Sequence, residues 1–179
     1  MRIISGKYKG KRINPPAGFK ARPTTDYARE SLFDILANRY DFESLSILDL
    51  FSGTGSISFE FASRGAAVIH LVEKDLKNIL FIRKVCREMH LENIKTIHID
   101  TQAYLKVCNY KYDIVFADPP YNLDWLPGLP DMVMSSGIIK EIGIFILEHP
   151  GAIVFTSSRF FYEHRNYGKV NFSFFRVKP

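Results

Sequence analysis

A carboxylate, two prolines and a phenol ring follow one another at Asp118, Pro119, Pro120 and Tyr121. They close an apolar run, Ile114 to Ala117, whose composition suits a buried parallel strand. Proline cannot donate to a ladder, so pairing must stop there. The group therefore sits at the C-terminal end of a strand, where open α/β sheets place their ligands. It suits a planar base with an exocyclic amine. Asp118 and the Pro119 carbonyl can each accept one amine hydrogen, and Tyr121 can stack on the ring. Taken alone, the same residues equally describe a strand stopped by a Pro-Pro turn, with a solvated Asp and a packing Tyr.

A second constellation lies upstream. Ile47 to Phe51 reads as a strand running into a turn that holds Gly53 and Gly55. Glycine gives backbone room there, so a ligand can approach the main chain. Glu73 comes twenty residues after Gly53 and ends the apolar run Ala67 to Val72. An acid at that distance suits a ribose diol, both of whose hydroxyls can donate to one carboxylate. Ser58 stands where a dinucleotide fingerprint would carry its third Gly. That disfavours NAD and leaves room for a nucleoside without a pyrophosphate. Asp49, before the turn, can hold a ligand ammonium or its water shell.

Asp49 to Gly55, Glu73, and Asp118 to Tyr121 together resemble the Rossmann-like S-adenosylmethionine-dependent methyltransferases. The Asp-Pro-Pro-Tyr box narrows the resemblance to those acting on an exocyclic amino group. Residues 21–36, with Arg22, Thr24 and Thr25, and the opening stretch from Arg2 to Arg12 narrow it further. These blocks are similar to the RsmD family of bacterial 16S ribosomal RNA guanine-N2 methyltransferases, from Arg2 to about Glu148. The resemblance implies a Rossmann-like α/β fold with a seven-stranded methyltransferase sheet, helices on both faces and an N-terminal β-hairpin extension. It implies catalysis by Asp118, Pro119, Pro120 and Tyr121. The cofactor, S-adenosylmethionine with no metal, would lie against Asp49, Phe51, Gly53, Gly55, Glu73 and Asp100. Asp100 equally suits a helix N-cap before Thr101. Arg22, Thr24 and Thr25 would lie near the cofactor's methionine end or the target nucleotide, although capping explains the Thr residues well.

Charge adds a partner. The 179-residue chain carries a formal net charge of +5, but its distribution matters more. Residues 1–25 hold Arg2, Lys7, Lys9, Lys11, Arg12, Lys20 and Arg22 and no acid, with Tyr8 interleaved. Such an arm suits phosphate contacts and base stacking, with Lys7, Tyr8, Lys9, Lys11 and Arg12 as substrate-binding residues. The expected division is a basic arm over 1–22 and a methyltransferase domain over 23–179. Cys86 and Cys108 are too few and too far apart for a disulfide framework or a zinc site. The five His residues show no paired metal spacing. No apolar run reaches the roughly 18 residues of a membrane span. With no secretory signal evident, a cytoplasmic monomer is expected, acting on 16S rRNA or a small-subunit assembly particle.

The elements that must position these residues follow from pattern. Arg2–Ser5 and Lys9–Ile13 are expected to pair about Gly6, and residues 14–18 to form a linker. Thr24, Thr25 and Asp26 offer N-caps for a helix to about Asn38. Strands are expected near 47–51, 67–73, 95–99, 112–118, 143–148, either 152–156 or 160–165, and 169–177. Helices are expected over 55–64, 75–90, 101–109 and 130–142. This alternation implies a parallel sheet covered on both faces. Two other activities suit the residues: adenine-N6 methylation of DNA or RNA, and non-catalytic RNA binding on a methyltransferase scaffold.

Overall fold

The structure is a computed structural model that describes residues 1–16 and 25–177. Ala17 and Gly18 of the expected linker, with Lys20, Arg22 and Thr24, lie outside the described residues. The chain runs α1 (Asp26–Ala37), β1 (Ser46–Leu50), α2 (Ser56–Ser63), β2 (Val68–Glu73), α3 (Leu76–Met89), β3 (Ile94–His98), α4 (Thr101–Val107), β4 (Tyr112–Ala117), α5 (Leu129–Ser135), β5 (Ile139–His149), β6 (Phe161–Tyr167) and β7 (Val170–Phe175).

The strands form one seven-stranded sheet in the order β3-β2-β1-β4-β5-β7-β6. β1 to β5 are parallel, and β7 joins β5 antiparallel with β6 outside it. Alternation along each strand feeds two cores. Ile47, Ile114, Phe116, Ile144 and Ile146 pack with α1, α2 and α3, whereas Leu48, Val115, Ala117, Phe145 and Leu147 pack with α4 and α5. Strands buried on both faces carry apolar residues on both, which is why Ile47–Leu48 of β1 and Ile114–Ala117 of β4 read as hydrophobic runs without alternation.

Two expectations need correction. The helix anticipated over 130–142 ends at Ser135, and a strand begins at Ile139. Gly137, at φ +76°, breaks the helical path between them. β5 then slips against β4. Tyr112 pairs with Ile139 but Ile114 pairs with Ile144, so β5 carries three extra residues at a bulge. Gly143 sits in it because a Cβ there would come within 2.9 Å of the Tyr112 carbonyl. Of the two strands offered after residue 150, the chain uses the later, 161–167. The N-terminal hairpin has one antiparallel bridge, Arg2 to Arg12, with Ile3 N–H donating to the Lys11 carbonyl at 3.0 Å. Its turn spans both Gly6 and Gly10, at φ +80° and +82°.

This arm is fastened to α2. The buried Glu60 carboxylate accepts the N–H groups of Ile4 and Ser5 at 2.8 and 3.0 Å and the Arg64 Nε–H at 3.0 Å. Lys7 N–H donates to the Ser63 carbonyl at 2.7 Å. Gly6 is required because a Cβ there would lie 1.9 Å from that carbonyl oxygen. Ile3 and Ile13 are buried in the first core.

Candidate active site

The sheet reverses its strand order between β1 and β4, and the crevice beyond that point is where doubly wound folds hold ligands. A cleft of about 1100 Å³ opens there. Each acid in it is placed by strand alternation. Asp49 on β1 pairs in register with Phe116 on β4, so both face the α1–α2–α3 side. Ala117 pairs with Leu147. Asp118 and Glu148 therefore leave neighbouring strands side by side, roughly 5 Å apart at the backbone, on that same face. Asp49, Glu73, Asp118 and Glu148 all line the cleft.

Their partners tell them apart. Gly53 N–H donates to Glu73 Oε2 and Asp75 N–H to Glu73 Oε1, each at 2.8 Å, which aims a buried carboxylate along the Gly53 turn. Asp49 is buried and accepts the Ser58 hydroxyl at 2.7 Å. Burial pushes its carboxyl up to about 7, against the pull of the Ser58 hydrogen bonds and with help from the Glu73 charge. Burial first, then Glu148 and then Asp49, hold the Asp118 carboxyl well above the usual carboxylate range. Tyr121, half-buried, donates its hydroxyl to Glu148 Oε1 at 3.3 Å. Four carboxyls in one crevice form a site for a cation and for N–H and O–H donors.

The structure brings together Asp49, Phe51, Gly53, Glu73, Thr25 and the whole box from Asp118 to Tyr121. Phe51, at φ +58°, adopts the left-handed conformation as the chain leaves β1, and its ring lies 5.9 Å from that of Trp125. Other residues stand elsewhere. Gly55 does not line the cleft; at φ +80° it starts α2, and a Cβ there would meet the Phe59 ring at 3.1 Å. Asp100 is exposed, and its carboxylate caps α4 by accepting the Gln102 N–H at 2.9 Å. Thr25 also caps α1, accepting the Ala28 N–H at 3.2 Å. Lys7, Lys9, Lys11 and Arg12 are exposed and lie outside the cleft. Tyr8 packs on the first core and donates its hydroxyl to the Met89 carbonyl at 3.0 Å. Its ring is committed to holding the arm down rather than standing free to stack on a base. Arg22 and Thr24 lie outside the described residues.

Sequence reasoning missed Glu148, Lys77 and the β6–β7 turn from Tyr167 to Lys169, which rims the cleft. Glu148 had a signal: it ends an apolar run, as Glu73 does.

The family model described as conserved hypothetical protein 95 matches residues 1–176. A ribosomal RNA small subunit methyltransferase D of Buchnera aphidicola is 33% identical over 153 residues, covering 86% of this chain and 78% of that protein. The chain belongs to the RsmD family. Its fold is shared by Thermus thermophilus hypothetical protein TTHA0928, with a TM-score of 0.87, 29% identity and 99% of both chains covered. It is shared equally by the putative methyltransferase yhhF of Escherichia coli, with a TM-score of 0.85, 24% identity and 99% of both chains covered. The RsmD relative and these two structural neighbours place the chain on the Rossmann-like methyltransferase fold. Among the described residues, no helix is long and apolar enough to cross a membrane.

Proposed function

We propose that this RsmD-family protein transfers a methyl group from S-adenosylmethionine to the N2 amine of a guanine in 16S ribosomal RNA, free or in a small-subunit assembly particle in the cytoplasm. The observation that carries the reading is the placement of Asp118, Pro119 and Tyr121 beside Glu148, across the switch point from Gly53 and Glu73. S-adenosylmethionine fits the donor set of the other half-site and supplies a methyl group on a cationic sulfur when bound. Glu73, already held by two N–H groups, keeps lone pairs for a ribose diol. Asp49 offers charge to the cationic end. On the substrate side, Asp118 and the Pro119 carbonyl accept the two amine hydrogens. That favours a pyramidal nitrogen whose lone pair is available for attack. Tyr121 supplies a ring for the base to stack on. Alignment of the two reactants provides much of the rate, and the surplus proton leaves to water after the methyl has moved. Mass spectrometry of rRNA from a deletion strain should show the loss of one N2-methylguanine; loss of an N6-methyladenine instead would move the reading to the other amine.

Asp49 makes cofactor affinity depend on pH. Burial keeps a proton on Asp49 up to about pH 7, whereas a cation beside it favours the ionised form. Binding below pH 7 must therefore expel that proton. Affinity should fall by up to about tenfold per unit as pH drops from 7. Calorimetry in two buffers of different ionisation enthalpy at pH 6.5 should report the released proton. An affinity that stays flat from pH 6 to 8 would contradict the assignment. The same raised carboxyl favours the folded state fully below its ordinary value of 3.8, and that contribution is lost as pH rises through about 7.

The arm supplies RNA affinity in this reading. Lys7, Lys9, Lys11 and Arg12 are exposed, and Lys11 and Arg12 share a second groove with Lys77 and Lys84 of α3. Changing the four arm residues to Ala should flatten the salt dependence of RNA binding by up to about four contacts, each worth a log–log slope of roughly 0.7–0.9. Cofactor affinity should not change. An identical slope in the quadruple variant would move the RNA surface away from the arm.

A further inference from the structure

Glu148 is the buried acid of the cleft to which the chemistry above gives no task. It is 4% exposed, lies one residue before the end of β5 and beside Asp118, and accepts the Tyr121 hydroxyl. Withdrawing one carboxylate from water next to another is costly, and Asp118 registers that cost in its raised carboxyl. A perturbed carboxyl beside a second acid in a cleft marks a candidate ligand site.

The Watson–Crick edge of guanine does so. It presents N1–H beside the N2 amine, two donors in a row, whereas the ring nitrogen next to the amine of adenine is a bare acceptor. We infer that Glu148 accepts the N1–H of the target guanine while Asp118 takes an N2–H, so that Glu148 selects guanine over bases whose neighbouring ring nitrogen carries no hydrogen. The inference rests on the guanine-N2 reading above and adds to it the residue that reads the base. The geometry allows it. The two carboxylates leave adjacent strands on one face, matching two adjacent donors of a planar base, and a carboxylate has about four acceptor positions, so it can hold the Tyr121 hydroxyl and accept further donors as well. Accepting N1–H also pushes electron density through the ring toward the attacking amine.

The alternative is that Glu148 only braces Tyr121. A synthetic RNA segment bearing either guanine or 2,6-diaminopurine at the mapped target position, ligated into the substrate RNA, separates the two roles. 2,6-Diaminopurine keeps the 2-amine but has no hydrogen on N1. Single-turnover transfer to the 2-amine is measured for the wild type, E148Q and Y121F. The wild type should prefer guanine by at least about 100-fold, the scale at which a buried hydrogen-bonding site rejects an analogue lacking the group it reads. In E148Q the amide can donate to the bare N1, so the preference should narrow about tenfold or more. Y121F should keep much of the rate with both bases and leave the ratio unchanged. A wild type that uses both bases alike overturns the inference without any variant having to fold. So does E148Q slowing both bases with the ratio unchanged, which is the bracing result. If the wild type makes no N2-methylguanine at all, the substrate reading itself fails, and that outcome is recognised before any ratio is taken.

Discussion

Asp118→Ala should lower the single-turnover rate of methyl transfer by at least about 100-fold, the scale of losing one preorganised polar contact to a reacting group. Cofactor affinity and folding should stay near wild type. Asp118 sits beyond the last paired residue of β4, so no ladder bond depends on it. Its carboxyl is already disfavoured by burial and by Glu148 and Asp49. Removing it relieves repulsion, and the denaturation midpoint should hold or rise. Asp118→Asn, which keeps an acceptor oxygen, should retain more activity than Ala. Tyr121→Phe should keep much of the rate because stacking needs the ring, and Tyr121→Ala should not. A wild-type rate in Asp118→Ala, with binding intact, would end the role given to this residue.

Glu60→Ala should cost about 3–5 kcal/mol of stability, the range for leaving a buried ion-pair partner uncompensated. The carboxylate is 1% exposed, and both oxygens are in use, with the Ile4 and Ser5 N–H groups and Arg64 as donors. Loss of all three leaves two backbone donors and a guanidinium with nothing to replace them. The arm should also come away from α2, so RNA affinity should fall with stability. Glu60→Gln, which keeps one acceptor oxygen, should fall between the two. Urea denaturation with RNA binding on the same samples checks both effects. A loss below about 1 kcal/mol, the level of an exposed pair, would show that the arm is held by its apolar contacts alone.

What could be read from the chain depended on whether a residue's neighbours in sequence were also its partners in space. Asp118 to Tyr121 was legible because prolines mark the strand end and fix what sits there. Glu73 was legible because an acid closing an apolar run must emerge at a sheet edge. Ser58 looked like a missing glycine, and only the fold shows its hydroxyl on Asp49. Gly55 was expected at the ligand and instead faces Phe59 and Ile82, because a turn glycine has two reasons to exist and sequence does not separate them. Asp100 has the same ambiguity, and its carboxylate is engaged by α4. Tyr8, set among lysines, resembled a stacking platform, but its hydroxyl reaches Met89, far along the chain. The helix drawn over 130–142 failed because Ile138 and Ile139 extend the apolar pattern past Gly137, where the backbone turns away.

β7 is made after β6, yet it lies inside the sheet, between β5 and β6. A ribosome therefore releases this protein in an order that its architecture does not follow. Until residues 170–175 emerge, the β5 edge from Phe145 to His149 has no partner on that side, and β6 has no neighbour. Phe172, Phe174 and Phe175, all fully buried in the finished molecule, are the closing pieces of both cores. An open edge beside unfilled apolar surface is what templates wrong pairings between nascent chains. Vectorial synthesis thus leaves these edges most exposed to aggregation just before β7 emerges, and a stop codon ahead of Val170 would strand the chain there.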